Sequence, residues 1–308
     1  MKLNKILITG SSGTIGTRLF ETLLKSGYDV TGVDKKPNKW NSKLNENTIL
    51  VDLRNRDDIF EKIPNDFDLV IHLAANARVY NLVVDPHLAR DNFETIFNIL
   101  EFTRKNNISK FMFASSREVY GNTEEFHHSE EHISVSDCES PYTASKIAGE
   151  SLINSYHRCY GIDFIIFRFS NVYGMFDDSD RVIPLFIKLC QEGKDLTIFG
   201  KEKLLDFTYI DDAVNGVKLC INKFDTAKND VYNLAYGTGT TIFETAEMIN
   251  KYSNSNSKII IKDNRLGEVV KCITNISKAK QKLDYVPTTT ISEGIQKTID
   301  WYRQNLIS

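Results

Sequence analysis

Tyr142 and Lys146 stand four residues apart in Ser140-Pro141-Tyr142-Thr143-Ala144-Ser145-Lys146, a segment that reads as a helix start. Ser140 suits the N-cap, where its hydroxyl can accept from a first-turn amide, and Pro141 suits the first turn. Residues four apart share a helix face. An ammonium beside a phenol favours phenolate, so Lys146 is expected to lower the Tyr142 pKa from about 10 and make Tyr142 a usable base near neutral pH. The pair alone would equally suit a solvated helix face. Phe113-Ala114-Ser115-Ser116-Arg117-Glu118-Val119-Tyr120-Gly121 strengthens the chemical reading, because a strand there delivers hydroxyls to the same sheet edge.

A second signal is Gly10-Ser11-Ser12-Gly13-Thr14-Ile15-Gly16, set between an apolar strand (6–9) and the helical spacing Ile15-Leu19-Leu23. Glycines at this strand-to-helix turn let a pyrophosphate approach backbone amides at a helix N-terminus. Asp34, 18 residues beyond Gly16 at the end of the second strand, is placed to accept from ribose hydroxyls. Its charge would repel a 2′-phosphate, which favours NAD over NADP. Asp52-Leu53 and Ala74-Ala75-Asn76-Ala77 follow the third and fourth strands, at the sheet end where ligands of open α/β sheets bind. His72, just before them, reads as a core histidine.

The elements that must hold these residues alternate through the first half. Strands are expected at 6–9, 30–33, 49–51, 69–74, 111–115 and 164–169, with helical spacing at 15–23, 92–105 and 142–160. That alternation predicts α/β architecture with a doubly wound parallel sheet covered on both faces. Beyond Asn171 the rhythm changes to helices near 183–191, after Asp211, at 241–252 and at 291–303, with short strands at 196–199 and 231–235. This later portion reads as a smaller mixed lobe. The 308 residues carry a net charge of −3, so no basic excess points to nucleic acid. Apolar runs are too short for a membrane span or a signal peptide, which predicts a cytoplasmic protein. Five scattered cysteines without a CxxC pair indicate reduced thiols rather than a disulfide framework or zinc site.

Taken in order, the motifs resemble those of the extended short-chain dehydrogenases, specifically the nucleotide-sugar epimerase/dehydratase group. They are Gly10 to Gly16, Asp34, Asp52-Leu53, His72-Leu73-Ala74-Ala75, Asn92, Ser115-Ser116, Tyr142-x3-Lys146, Arg168-Phe169-Ser170-Asn171-Val172-Tyr173-Gly174, Asp206 to Asp212, and Arg265-Leu266-Gly267-Glu268. The likeness covers nearly the whole chain. It implies a Rossmann-type NAD-binding domain over 1–174, to which 206–240 returns, and a lobe over 175–308 that mainly binds a nucleotide sugar. It also implies Ser116, Tyr142 and Lys146 as catalytic residues. Cofactor contacts would come from Gly10, Gly13, Thr14, Ile15, Gly16, Asp34, Asp52, Leu53, Leu73, Ala74, Ala75, Asn92, Tyr142 and Lys146. Ser116, Glu118, Asn171, Phe199 and Arg265 would meet substrate, with Phe199 against the base and Arg265 on the pyrophosphate. The resemblance implies a UDP-sugar substrate and a homodimer paired through 92–105 and 142–160.

The implied reaction is 4-epimerisation of a UDP-sugar of glucose/galactose or uronate type through a 4-keto intermediate. The alternatives are a 4,6-dehydratase, a uronate decarboxylase, or a non-catalytic NAD-sensing regulator. The dehydratase pattern has Asp-Glu after the catalytic hydroxyl residue, where this chain has Arg117-Glu118. Leu205 stands where many relatives have arginine, leaving the pyrophosphate to Arg265 and Lys203. Arg117 could meet a uronate carboxylate, but strand alternation is expected to turn it away from Ser116 and the pocket. His127, His128 and His132 are expected in a surface loop without a metal.

Overall fold

The computed structural model describes residues 3–125, 127–265 and 267–305. Its strands are β1 (Lys5–Thr9), β2 (Asp29–Asp34), β3 (Thr48–Leu50), β4 (Leu69–His72), β5 (Lys110–Ser116), β6 (His127–His128), β7 (Asp163–Phe169), β8 (Asn171–Tyr173), β9 (Leu196–Phe199), β10 (Leu204–Tyr209), β11 (Asp230–Leu234), β12 (Gly239–Thr241), β13 (Ile259–Lys262) and β14 (Lys271–Thr274). The α-helices are α1 (Thr14–Lys25), α2 (Arg56–Lys62), α3 (Val79–Val84), α4 (His87–Lys105), α5 (Pro141–Tyr160), α6 (Val182–Gln191), α7 (Ile210–Asn222), α8 (Phe224–Ala227), α9 (Ile242–Ser253), α10 (Ser277–Leu283) and α11 (Ile291–Asn305).

Seven strands form one parallel sheet in the order β11-β7-β5-β4-β1-β2-β3. Alternation along β1 explains why both faces are covered. Ile6 and Ile8 join Leu19, Phe20 and Leu23 of α1 in one apolar cluster. Leu7 points the other way, into a cluster with Ile96, Ile99 and Leu100 of α4. The chain leaves β1 in one direction along the sheet and resumes at β4 on the other side, which opens a crevice at the carboxyl ends of these two strands.

The doubly wound sheet predicted from the sequence is present. Strand β4 ends at His72 rather than Ala74, so Leu73 to Ala77 form a loop at the crevice. Strand β11 pairs in parallel with β7 and completes the sheet edge after a long excursion of the chain. A smaller sheet runs β12-β10-β14-β6, with β8 alongside β10, and β9 pairs with β13. The sequence reading missed β6, β8, β10, β12, β13 and β14, most of them two to four residues long, because they pair with distant segments. Trp40, Phe176 and Trp301 meet edge to face or tilted, with centroids 5.3 to 6.2 Å apart, joining the loop after β2 to the last helix. No helix among the described residues is long and apolar enough to cross a membrane.

Candidate active site

The glycine loop shapes the crevice floor. Gly10 has φ +71°, and a Cβ there would lie 2.7 Å from the Ala74 amide nitrogen. A Cβ on Gly16 would lie 2.0 Å from the Gly10 carbonyl oxygen, so only glycine lets α1 start this close to the loop. Gly13 is the N-cap of α1 and supplies no side-chain cap, leaving the first-turn amides of Thr14 and Ile15 toward the crevice. An uncapped helix N-terminus over a glycine cradle fits a dinucleotide pyrophosphate.

The other expected cofactor residues fall into two groups. Ile15, Leu73 and Ala75 line the cavity, and Ala74 packs on Gly10. Asp34 accepts from the backbone amides of Ser12 and Lys36, both at 3.0 Å, which fixes its carboxylate at the end of β2. Asp52 is instead held by Arg54, at 2.6 Å, and Arg54 also reaches Asp91 at 2.9 Å. The Leu53 carbonyl accepts from Asn98. Asn92 lies behind the cavity, where its side chain accepts from the Asn76 amide at 2.7 Å and donates to the Asn76 carbonyl at 3.1 Å, so it shapes the 73–77 loop. Thr14 donates to the Phe176 carbonyl at 2.9 Å. His72 is a core residue, hydrogen-bonded to Thr9 at 2.8 Å and stacked near Phe111 and Phe113.

A loop unforeseen from the sequence spans this crevice. Residues 174–181 are held at one side by Thr14 and by an ion pair between Lys39 and Asp178. On the other side Arg78 pairs with Asp180 at 2.6 Å.

Ser116, Tyr142 and Lys146 come together at the rim of the large sheet and line a cavity of about 300 Å³. Ser140 caps α5 as expected, accepting from the Thr143 amide at 3.2 Å. The Ser116 hydroxyl accepts from the Glu118 amide at 3.2 Å and lies beside the Tyr142 phenol. Lys146 donates to the Ala114 carbonyl at 2.7 Å, lies 4.9 Å from the Phe113 ring centroid, and is 5.7 Å from that of Tyr142. The expected lowering of the phenol pKa is not found. Burial pushes Tyr142 up to about 12, with Ser116 opposing and Glu118 adding to the rise. The same burial brings Lys146 down to about 8, opposed by Glu150. The ammonium is turned toward the backbone of β5, and desolvation of the phenol outweighs it.

Arg117 also departs from expectation. Strand β5 ends at Ser116 and the chain enters a 3-10 turn at Arg117–Tyr120, so strand alternation no longer applies. Ser116, Arg117 and Glu118 all line the cavity. Arg117 pairs with Glu118 at 2.7 Å, both side chains buried, and donates to the Asn171 side-chain oxygen at 3.4 Å. Asn171 donates in turn to the Asp206 carbonyl at 2.9 Å.

Phe199 and Arg265 line the same cavity. The Arg265 guanidinium lies 3.9 Å from the Phe199 centroid and 4.9 Å from that of Tyr80, a residue of α3 that the sequence reading did not single out. Lys203, Leu205 and Glu268 line it as well, with Lys203 and Glu268 paired at 2.7 Å. Leu266 of the late motif lies outside the described residues. His127 and His128 form β6 rather than a surface loop, and the His128 ring stacks on Tyr120 at 4.8 Å.

The profile of the NAD dependent epimerase/dehydratase family matches residues 6–235. UDP-glucuronate 4-epimerase of Thermodesulfobacterium geofontis is 31% identical over 321 residues, covering 97% of this chain and 96% of that protein. The crystal structure of UDP-glucose 4-epimerase from Thermotoga maritima with UDP-glucose has a TM-score of 0.88 and 29% identity, covering 98% of this chain and 99% of that one. UDP-glucuronic acid 4-epimerase from Bacillus cereus, solved with UDP-glucuronic acid and NAD, has a TM-score of 0.88 and 30% identity, covering 97% and 99%. A nucleotide-sugar dehydratase at 27% and a decarboxylase at 29% identity are also relatives. The profile runs from the first strand of the large sheet to its last, and with relatives aligned over nearly its full length the chain belongs to the NAD-dependent epimerase/dehydratase family.

Proposed function

We propose that this enzyme inverts C4 of a UDP-linked hexose, with NAD held in the crevice at β1 and β4 and the sugar at Ser116 and Tyr142. In this reading residues 1–174 hold the cofactor, 206–240 return to them, and 175–308 mainly hold the nucleotide sugar. The observation that carries the proposal is one cavity lined by two different sets of residues. Ser116, Tyr142 and Lys146 make up one set, and Phe199 and Arg265 the other.

Gly10 to Gly16 and the α1 amides would receive the pyrophosphate of NAD, and Asp34 the adenosine ribose. Ser116 holds the sugar 4-oxygen in line with the phenol, using the hydroxyl that lies beside Tyr142. Tyr142 then takes the 4-hydroxyl proton as the C4 hydride departs, leaving a 4-keto sugar, and returns the proton to the 4-oxygen when, after the sugar has turned, the hydride comes back to the opposite face of C4. With the phenol at about 12, this removal needs more positive charge than Lys146 provides from its place beside Ala114. NAD held at Gly10 to Gly16 and Asp34 would supply that charge and a reversible acceptor for the C4 hydride. Glu118 is engaged by Arg117 and Asn171 by Arg117 and Asp206, an arrangement that favours retention of all substrate atoms over loss of water or carbon dioxide.

The same reading pairs two copies through α4 and α5, where Phe93 and Phe97, one turn apart on α4, are 41% and 40% exposed. The test of the activity is to incubate the protein with UDP-glucose, UDP-N-acetylglucosamine, UDP-glucuronate and dTDP-glucose, and identify products by mass and NMR. A 4-epimer of unchanged mass is expected from a UDP-sugar. A product lighter by water or carbon dioxide, or no turnover of any of the four, overturns the proposal.

A further inference from the structure

We propose that residues 174–181 form a strap that retains NAD in the crevice, latched by the ion pairs Lys39–Asp178 and Arg78–Asp180 and pinned at its centre by Phe176. The inference rests on NAD binding at β1 and β4, and its test needs no sugar, so it stands or falls apart from the epimerase reading.

Three fastenings hold the strap. Lys39 lies in the loop after β2 and Arg78 in the loop after β4, so the two ion pairs grip the strap from opposite sides of the crevice. Between them the Thr14 hydroxyl donates to the Phe176 carbonyl at 2.9 Å. Thr14 opens α1, and that helix N-terminus is where a dinucleotide pyrophosphate fits. Asp177, Asp180 and Arg181 of the strap line the same cavity as Ile15, Ala75 and Tyr142. A cofactor reaching from Asp34 at the end of β2 to Tyr142 would therefore pass beneath the strap.

The centre is held by packing. Phe176 is buried and takes φ +64°, a left-handed conformation uncommon for so bulky a residue. It persists because the surroundings over-determine it, with the Trp40 and Trp301 ring centroids 6.2 and 5.3 Å from that of Phe176. Lys39 lies 4.6 Å from the Trp40 centroid, which joins this pin to one latch. Each strap carboxylate faces a cation, Asp177 meeting Arg181 at 3.9 Å, so the strap brings no uncompensated negative charge to a pyrophosphate.

A reaction that gives the hydride back restores NAD in every cycle, so the cofactor has no need to leave between turnovers. A closed strap suits that economy. Lys39, Asp178 and Asp180 have side chains 56%, 53% and 68% exposed, which makes each latch weak and sensitive to salt. Both latches join protein to protein, so loosening them speeds entry and exit alike and leaves affinity nearly unchanged.

The full chain, loaded with radiolabelled NAD and chased with unlabelled NAD, gives the release rate by rapid filtration, and equilibrium titration gives Kd. Asp178→Asn/Asp180→Asn is expected to release label about 3- to 30-fold faster, with Kd within about threefold of wild type. Salt at about 1 M should speed wild type toward that rate and change the variant by less than about twofold. Hydrogen exchange in the strap, followed by mass spectrometry, should accelerate in the variant by the same factor as release. Release from the variant at the wild-type rate overturns the proposal. Faster release with a matching loss of affinity and unchanged uptake would make the two carboxylates NAD contacts and overturn it as well. If wild type retains no NAD, the crevice assignment falls and the strap with it.

Discussion

Replacing Glu150 by glutamine should be among the most damaging single-atom changes in the protein, and its size follows from the geometry. Glu150 accepts from Arg168 twice, at 2.8 and 3.0 Å, and from the Ser115 hydroxyl. The side chains of the pair are 9% and 3% exposed. Arg168 also donates to the Glu130 carbonyl at 2.8 Å and the Tyr120 hydroxyl at 3.1 Å, so it cannot swing out to water without breaking those bonds. Glutamine would leave the guanidinium buried without a counter-charge and turn an amide NH2 toward groups that donate. Breaking a buried ion pair from one side costs about 3 to 5 kcal/mol. With an unfolding entropy of about 2.1 cal/mol/K per residue, that corresponds to a Tm about 5 to 8 °C lower for this chain. Thermal melts and urea midpoints of Glu150→Gln and of the paired Glu150→Leu/Arg168→Leu variant provide the assay. The paired variant should recover most of the loss, because it leaves no lone charge behind. A Tm for Glu150→Gln within about 1 °C of wild type, or a paired variant no better than the single one, would refute the reasoning.

Further outcomes follow from the site and its surroundings. Tyr142→Phe should lower turnover by about 10²- to 10⁴-fold while NAD stays bound, checked by steady-state rates beside cofactor content; near-normal turnover would remove Tyr142 from the chemistry. Burial drives His72 down to about 3, so it stays neutral in the folded protein while the unfolded chain takes up a proton near 6.5. Its contribution to stability is therefore complete above about pH 6.5 and declines as pH falls toward 3, by about 1.4 kcal/mol per unit. A His72→Phe variant should show a shallower loss of urea stability between pH 6 and 4 than wild type. Phe97→Asp on α4 should convert a dimer to a monomer in light scattering without loss of helical signal, whereas an unchanged mass would place the interface elsewhere.

The parallel sheet was legible because its strands are continuous apolar runs with helices between them, as in Phe111-Met112-Phe113 and Ile165-Ile166-Phe167, buried on both faces. The site was legible where backbone geometry demanded a residue type, as at Gly10 and Gly16. It was less so where side chains choose among partners. Asp52 stands at a strand end as expected, yet Arg54 two residues later takes its carboxylate. Arg117 follows a strand, but the strand stops one residue earlier, and that single boundary brings the guanidinium to the cavity wall. The Tyr142 pKa depended on how deeply α5 is buried and on where the Lys146 ammonium turns, neither of which the four-residue spacing contains. Tyr80 gave no signal, since its relation to Arg265 and Phe199 joins segments more than a hundred residues apart.

The position of β11 at the sheet edge also governs how the chain is made. Its partner β7 leaves the ribosome first, and the some sixty residues that separate them take about 3 to 12 s to synthesise at 5 to 20 residues per second. During that interval the nascent chain carries β7 with one edge unpaired, and β7 is among the most apolar strands in the protein, its Ile165, Ile166 and Phe167 wholly buried once folding is complete. Translation that halts before Asp230 yields a fragment with a complete glycine loop and a sticky strand edge, a species for chaperones and proteases rather than a smaller working enzyme.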